Sequence, residues 1–135
     1  MTVSEALEIL KTEGYKTTGK REEILAYLDR NPHYISVKEI IDYLKKNYPG
    51  LSYDTVYRNL SLFSELGILE ETELDGEKRY QISCSTDHHH HHLICLKCGK
   101  SKKIENCPMD HLPEFDDFAV TGHRFEIFGY CADCR

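Results

Sequence analysis

Cysteine at positions 84, 95, 98, 107, 131 and 134 and histidine at 33, 88 to 92, 111 and 123 carry the metal-ligand chemistry of this chain. Thirteen of these fourteen residues follow residue 83. The most specific pattern is a pair of Cys-x-x-Cys turns, Cys95/Cys98 and Cys131/Cys134. Each turn presents two thiolates to one ion, and two turns complete a tetrahedral four-sulfur set; Gly99 permits the tight knuckle. With no open coordination position, such a set implies structural zinc. A thioredoxin-like redox centre needs only one such turn, and disulfides need an oxidising compartment. The 32 residues between the pairs exceed a zinc-ribbon spacer, so the ion staples a small domain rather than a finger.

The second pattern is Cys84-Ser-Thr-Asp-His88-His-His-His-His92. Five consecutive histidines resemble a purification tag or a metal-sticky loop, but this run is internal and leads directly into a strand-like segment. Alternate residues of a strand share a face. His90 and His92 then point one way, His89 and His91 the other, and two histidine pairs can serve two metal sites. Cys84 lies close enough in sequence to join one pair. A set of Cys, two His and a carboxylate suits Zn2+, whereas Fe2+ and Mn2+ favour more oxygen. A zinc enzyme is the competing class. The chain contains no His-Glu-x-x-His and no His-x-Glu paired with Pro-Cys-x-x-Cys, and no general base stands beside either set, so the sequence predicts a protein that is not an enzyme.

The preceding segment must position these ligands. Val3, Leu7 and Leu10 have helical spacing up to Gly14. Thr18 opens a second helix that Asn31-Pro32 ends. Ser36-Val-Lys-Glu39 is a capping box for a third, and Ser52 an N-cap for a fourth with Val56, Leu60 and Phe63 on its buried stripe. The opposite stripe holds Asp54, Tyr57, Arg58 and Ser61. Two strand-like runs joined by Asp75-Gly76 then read as a β-hairpin. Short helices followed by a hairpin predict a winged helix-turn-helix domain over residues 1–83. In such a domain the last helix enters the major groove, with Tyr53, Thr55, Tyr57, Arg58 and Ser61 facing DNA and Lys16, Lys20 and Arg21 near phosphates. For any single lysine, a solvated surface charge is the plainer reading. The His-rich residues 84–92 follow this domain. Residues 93–135 read as a small α/β element, with a strand from Leu93, a return strand over Lys100–Glu105, a short helix over Pro108–Phe118 and a strand over Arg124–Tyr130. It is too small to bury much by itself, so zinc, a second subunit or both must stabilise it. The expected fold class is α+β.

With 135 residues, 40% hydrophobic and 30% charged, the chain suits one ordinary domain or two very small ones. Uninterrupted apolar runs are only a few residues long, which rules out a transmembrane helix. The N-terminus lacks a basic n-region, which points to the cytoplasm. A net charge of −6 argues against a nonspecific polyanion binder but leaves room for a specific DNA reader with a local basic face. A metal-buffering protein that never reads DNA would account for the ligands, but not for Tyr57 and Arg58 on the outer face of a capped helix.

Four motifs together carry a family resemblance over essentially the whole chain: Asp54-Thr-Val-Tyr-Arg-Asn-Leu60, the histidine run, Leu93-Ile-Cys-Leu-Lys-Cys-Gly99 and Gly122-His-Arg-Phe-Glu-Ile-Phe-Gly-Tyr-Cys131. The sequence resembles the ferric uptake regulator (Fur) family of metal-dependent repressors, and within it is most similar to the zinc uptake regulators. The resemblance implies a zinc-responsive homodimer that binds palindromic operator DNA, the alternative being a regulator that senses iron, manganese or peroxide. It implies residues 84–92 as hinge and metal-sensing segment, residues 93–135 as dimerisation domain, and no membrane and no small organic ligand as partner. It implies structural zinc at Cys95, Cys98, Cys131 and Cys134, and regulatory zinc at Glu70, Cys84, His90 and His92, with Glu71 the alternative to Glu70. It also implies a third site at His89, His91, Asp110 and His123, where His111 and Glu114 are neighbouring alternatives to Asp110. Iron- and peroxide-type members have a His near the start of the third helix; this chain has Tyr34, with His33 adjacent. Cys107 matches no ligand position and reads as a small buried or partly exposed thiol.

Overall fold

The computed structural model describes residues 1–84 and 90–135. The chain divides into two compact units, Met1–Thr86 and Asp87–Arg135. Of the expected hinge segment, Cys84 belongs to the first unit, and His90, His91 and His92 to the second.

The first unit is built from α1 (Val3–Thr12), α2 (Gly19–Arg30), β1 (Ile35–Ser36), α3 (Val37–Leu44), α4 (Tyr53–Glu65), β2 (Leu69–Leu74) and β3 (Glu77–Ile82). Each helix starts on a hydroxyl. Thr2, Thr18, Ser36 and Ser52 accept the backbone N–H three residues on, which satisfies a donor with no partner inside the helix. At the end of α4, Gly67 takes φ +75° and lets Ile68 N–H reach back to the Phe63 carbonyl at 2.9 Å. That reversal points the chain into β2. Asp75 and Gly76, at φ 52° and 78°, close a two-residue hairpin whose twist matches its strands. The sheet order is β1-β3-β2, all antiparallel. Val56, Leu60 and Phe63 of α4 are fully buried, together with Leu10, Leu25, Ile40 and Tyr80. The winged helix-turn-helix expectation is met in element order and in buried face.

The second unit is a sheet of order β5-β4-β6: β4 (His91–Cys95), β5 (Ser101–Ile104) and β6 (Glu126–Gly129). β5 is antiparallel to β4, and β6 is parallel to it. The helix expected over Pro108–Phe118 is only a 3₁₀ turn, Pro108–His111, with the chain irregular beyond it. Pro113 disfavours helix at the residue before it, and Leu112, Phe115 and Phe118 are exposed. A segment this short forms a stable helix only when it buries an apolar face.

Few large side chains are buried in the second unit; Ile94 and the two thiols Cys95 and Cys107 are its buried apolar residues. Phe118, Val120, Phe128 and Tyr130 are 47–73% exposed. No helix among the described residues is long and apolar enough to cross a membrane.

Candidate metal centres and DNA-facing helix

The four-sulfur set assembles at one end of the β4–β6 pair. Cys95 closes β4, Cys98 follows in a turn held by the Gly99 N–H to Cys95 carbonyl bond at 3.0 Å, and Cys131 and Cys134 follow β6 in a second turn. All four sulfurs lie within 4.8 Å of one another. Cys98 Sγ and Cys131 Sγ are 3.8 Å apart. A tetrahedral zinc with Zn–S near 2.3 Å has sulfur–sulfur edges of about 3.8 Å, so the residues fit the ion. None of the six cysteines is in a disulfide among the described residues.

The backbone selects one thiol for ionisation. N–H groups of Cys98, then of Cys131 and Lys97, hold Cys95 down to about 6; the Cys131 N–H lies 3.4 Å from Cys95 Sγ. Cys134 is pushed up to about 12, first by sharing a hydrogen bond with Cys131 and then by burial. Four crowded thiols cannot all ionise in the absence of a cation, and a divalent ion supplies the charge that lets them.

Parallel pairing fixes what stands at the other end of the same strands. His91 opens β4, and His123 precedes β6. His123 Nε2 is 3.2 Å from His91 Nε2 and 3.2 Å from Cys107 Sγ. The three ligand atoms lie within 4.8 Å of one another. His91 and Cys107 are buried and His123 exposed. Of the residues expected in a third site, the structure brings His91 and His123 together. Asp110 is exposed on the 3₁₀ turn, outside this group, and Cys107 stands in it instead. His89 lies outside the described residues. Cys107 is buried, in keeping with its reading as a small thiol, and its approach to the two histidines, each 16 residues away, has no short motif to announce it.

The residues expected to sense metal fall in both units. In the first, Glu70 on β2 sits across from Gln81 on β3. Gln81 Nε2 donates to Glu70 Oε2 at 3.1 Å, and Cys84 Sγ lies 3.9 Å from the same oxygen. Glu71 is on the other face of the strand, 3.8 Å from Lys78 Nζ. Strand alternation therefore puts Glu70, not Glu71, beside Cys84. In the second unit His90 and His92 are two residues apart, with ring centroids 5.0 Å apart in an edge-on arrangement. His92 is buried, on the face of β4 opposite His91. His33 belongs to no ligand group among the described residues.

The outer face of α4 carries the residues expected to meet DNA. Arg58 and Asp54 form an exposed i,i+4 ion pair at 2.6 Å. Such pairs are worth only about 0.3–0.5 kcal/mol, so a phosphate or a base edge can displace Asp54. Tyr53 is exposed and stacks with Tyr57, ring centroids 6.1 Å apart. Thr55 Oγ1 is bound to the cap hydroxyl of Ser52 at 2.9 Å, and Ser61 is half-buried further along the helix.

Arg21, expected near phosphates, also makes contacts within its own unit. Its Nε donates to Asn59 Oδ1 at 2.9 Å and its guanidinium to the Lys16 carbonyl at 2.7 Å, tying α2 and the loop before it to α4. Lys16 is exposed, and Lys20 lies over the Tyr48 ring. Lys78 on β3 donates to Tyr57 Oη at 3.3 Å, and that bond, with Glu71 nearby, raises its pKa. The contacts of Asn59 and Lys78 with Arg21 and Tyr57 were not legible in the sequence, because they join α4 to α2 and to the hairpin across 38 and 21 residues.

Comparison with known proteins agrees with this architecture. A family model described as the Ferric uptake regulator family matches residues 12–128. The chain is 45% identical over 136 residues to a protein of Staphylococcus aureus named Ferric uptake regulation protein, covering 100% of this chain and 99% of that one. Among solved structures, a zinc uptake regulator complexed with zinc and DNA superposes with a TM-score of 0.76 at 25% identity, covering 97% of this chain and 91% of that chain. The Vibrio cholerae ferric uptake regulator superposes with a TM-score of 0.64 at 27% identity, covering 93% and 98%. With winged-helix order, metal-ligand clusters and matched sequence in agreement, the chain belongs to the ferric uptake regulator family of metal-responsive transcription regulators.

Proposed function

We propose that this chain is a zinc-responsive repressor that binds a palindromic operator as a homodimer and holds down genes for zinc uptake. One observation carries the choice of metal: Cys84 Sγ stands 3.9 Å from the Glu70 carboxylate. A thiolate in the sensing set favours zinc, while Fe2+ and Mn2+ favour an oxygen there. The proposed regulatory ligands are Glu70, Cys84, His90 and His92, and the proposed structural ligands Cys95, Cys98, Cys131 and Cys134. The exposed Phe118, Val120, Phe128 and Tyr130 support the homodimer, because a folded chain rarely leaves so many large apolar side chains in water.

Glu70 and Cys84 belong to the first unit, and His90 and His92 to the second. An ion that takes ligands from both restricts how the reading helices are presented. Operator half-sites sit at a fixed spacing, so a dimer engages both only in matching arrangements. Zinc then acts by population shift. Moving a population from 1:99 to 99:1 needs about 5.5 kcal/mol of differential binding, well within what zinc coordination supplies. The reading places the protein in the cytoplasm with its DNA.

The test is operator affinity against buffered free Zn2+, Fe2+ and Mn2+ under reducing, anaerobic conditions, on duplexes selected from random sequence in each metal. Zinc should activate at the lowest free concentration. The double variant Cys84→Ser, His90→Ala should keep its fold and lose zinc-dependent binding; zinc-dependent binding that survives removes the ligand assignment. The name of the Staphylococcus aureus relative favours a second reading, an iron-responsive regulator. Activation by Fe2+ equal to or better than that by Zn2+ would establish it.

A further inference from the structure

We infer that Arg21 is a positioning residue for operator binding: through Asn59 it holds the exposed segment carrying Lys16 at a fixed offset from the outer face of α4. The role rests on the DNA-binding reading proposed above, and its geometry on two hydrogen bonds. Arg21 Nε donates to Asn59 Oδ1 at 2.9 Å, and Arg21 Nη1 donates to the Lys16 carbonyl at 2.7 Å. Arg21 and Asn59 are 38 residues apart, so the pair joins two parts of the first unit that no local motif connects.

The segment needs a restraint. Gly14, at φ +85°, ends α1, and the Thr18 hydroxyl caps α2. Tyr15, Lys16 and Thr17 between them have no regular structure and are exposed. Exposed irregular backbone opens at little cost, and a contact made from it loses affinity to the ordering that binding demands. Arg21 restrains the segment in two ways, through the Lys16 carbonyl and by standing over the Tyr15 ring, 5.9 Å from its centroid. The acceptor at the other end is fixed as well. Asn59 Nδ2 donates to the Thr55 carbonyl one helical turn back at 3.1 Å, which turns Oδ1 toward Arg21. Asn59 directly follows Arg58, so the bond ends on the stretch of α4 that carries the residues expected to meet DNA.

A guanidinium suits this part better than an ammonium. It is planar, with its N–H groups in a rigid fork, so bonds from Nε and Nη1 set the direction between their two acceptors. A lysine would carry the same charge but no fork. Both acceptors are neutral, so the bonds leave the charge of Arg21 uncancelled, and attraction to phosphate is a separate contribution that charge alone provides. Phosphate contacts fix the register of a protein on DNA. They do so only when the groups that make them keep a constant distance from the groups that read base edges. The Arg21–Asn59 bond supplies that constancy between Lys16 and α4.

The test measures operator affinity against salt concentration for the full chain, in whichever of Zn2+, Fe2+ or Mn2+ gives the tightest wild-type binding, on a duplex selected with the wild-type chain. Lys16→Ala should lower the slope of log affinity against log salt by about 0.9, the share of one phosphate contact. Asn59→Leu removes no charge, yet should weaken binding about tenfold and lower the slope as Lys16→Ala does. Adding Lys16→Ala to Asn59→Leu should then change little. Arg21→Lys, which keeps the charge, should behave like Asn59→Leu. A change of stability alone moves neither the slope nor this coupling. A measurement without DNA covers a variant that fails to fold. In 1H–15N spectra the Arg21 Nε–H, identified by its loss in Arg21→Lys, should exchange with water more slowly than the N–H groups of exposed arginines. Wild-type binding by Arg21→Lys, an unchanged slope in Asn59→Leu, a full Lys16→Ala effect in the Asn59→Leu background, or fast exchange at Arg21 Nε each overturns the inference. A wild-type chain that selects no duplex in any of the three metals overturns the DNA-binding reading itself, and this role with it.

Discussion

Ligand softness separates a thiolate from a carboxylate at a metal, since both carry one negative charge. Single residues therefore set the chemistry of this chain. Cys84 lies beside Glu70, and in the proposed sensing set an oxygen in place of its sulfur would change the preferred ion. In the four-cysteine set the controlling residue is Cys95, which backbone N–H groups from both turns favour as a thiolate. Cys95→Ser should release one zinc per chain, measured by metal analysis after gel filtration, and should loosen the second unit in hydrogen exchange. The α-helical circular dichroism, which comes from the first unit, should persist. A zinc content unchanged by the substitution would remove the four-sulfur assignment. The two Cys-x-x-Cys turns were legible in the sequence because each is local, and spacing alone brings its sulfurs together. The closeness of Cys107 to His123 was not, because His123 arrives through the pairing of β4 with β6.

Secondary-structure elements followed the sequence closely wherever their ends carry local chemistry. Hydroxyl caps at Thr18, Ser36 and Ser52 start the helices at the predicted residues, and the α4 stripe is buried as predicted. The hairpin turn was equally plain. Gly76 has φ +78° with nothing within 4 Å of where a Cβ would stand, so the strain of a substitution there is purely conformational. Gly76→Ala should cost about 1–2 kcal/mol in the first unit, read as a lower midpoint of chemical denaturation, with metal content unchanged. Pro108–Phe118 went otherwise, because its apolar residues were periodic but found nothing to pack against. Periodicity reports that a face exists; whether it is buried depends on the rest of the fold or on a partner.

At the scale of the molecule, a chain of net charge −6 approaches a polyanion through a restricted basic surface. Arg58 is paired with an exposed partner on its own helix and can exchange it for DNA at little cost. Arg58→Ala should weaken operator binding about tenfold or more, within the roughly 1–3 kcal/mol of a base or charged contact. The dependence of binding on salt tells which kind of contact was lost. A phosphate contact lowers the slope of log affinity against log salt by about 0.9, whereas a base contact leaves the slope and relaxes sequence preference. Retained affinity would move the interface off this face of α4.

Strand alternation gives the histidine run a property of another kind. His90 and His92 share one face of the chain entering β4 and His91 takes the other, a register anchored downstream by Leu93, Ile94 and Cys95. Losing one histidine from the run still leaves histidine at each of the four positions before Leu93, and gaining one leaves them all in place. A change of one in the length of the run therefore leaves histidine at positions 90, 91 and 92. A single foreign residue inserted between His92 and Leu93 would instead shift every histidine by one step and exchange the two faces.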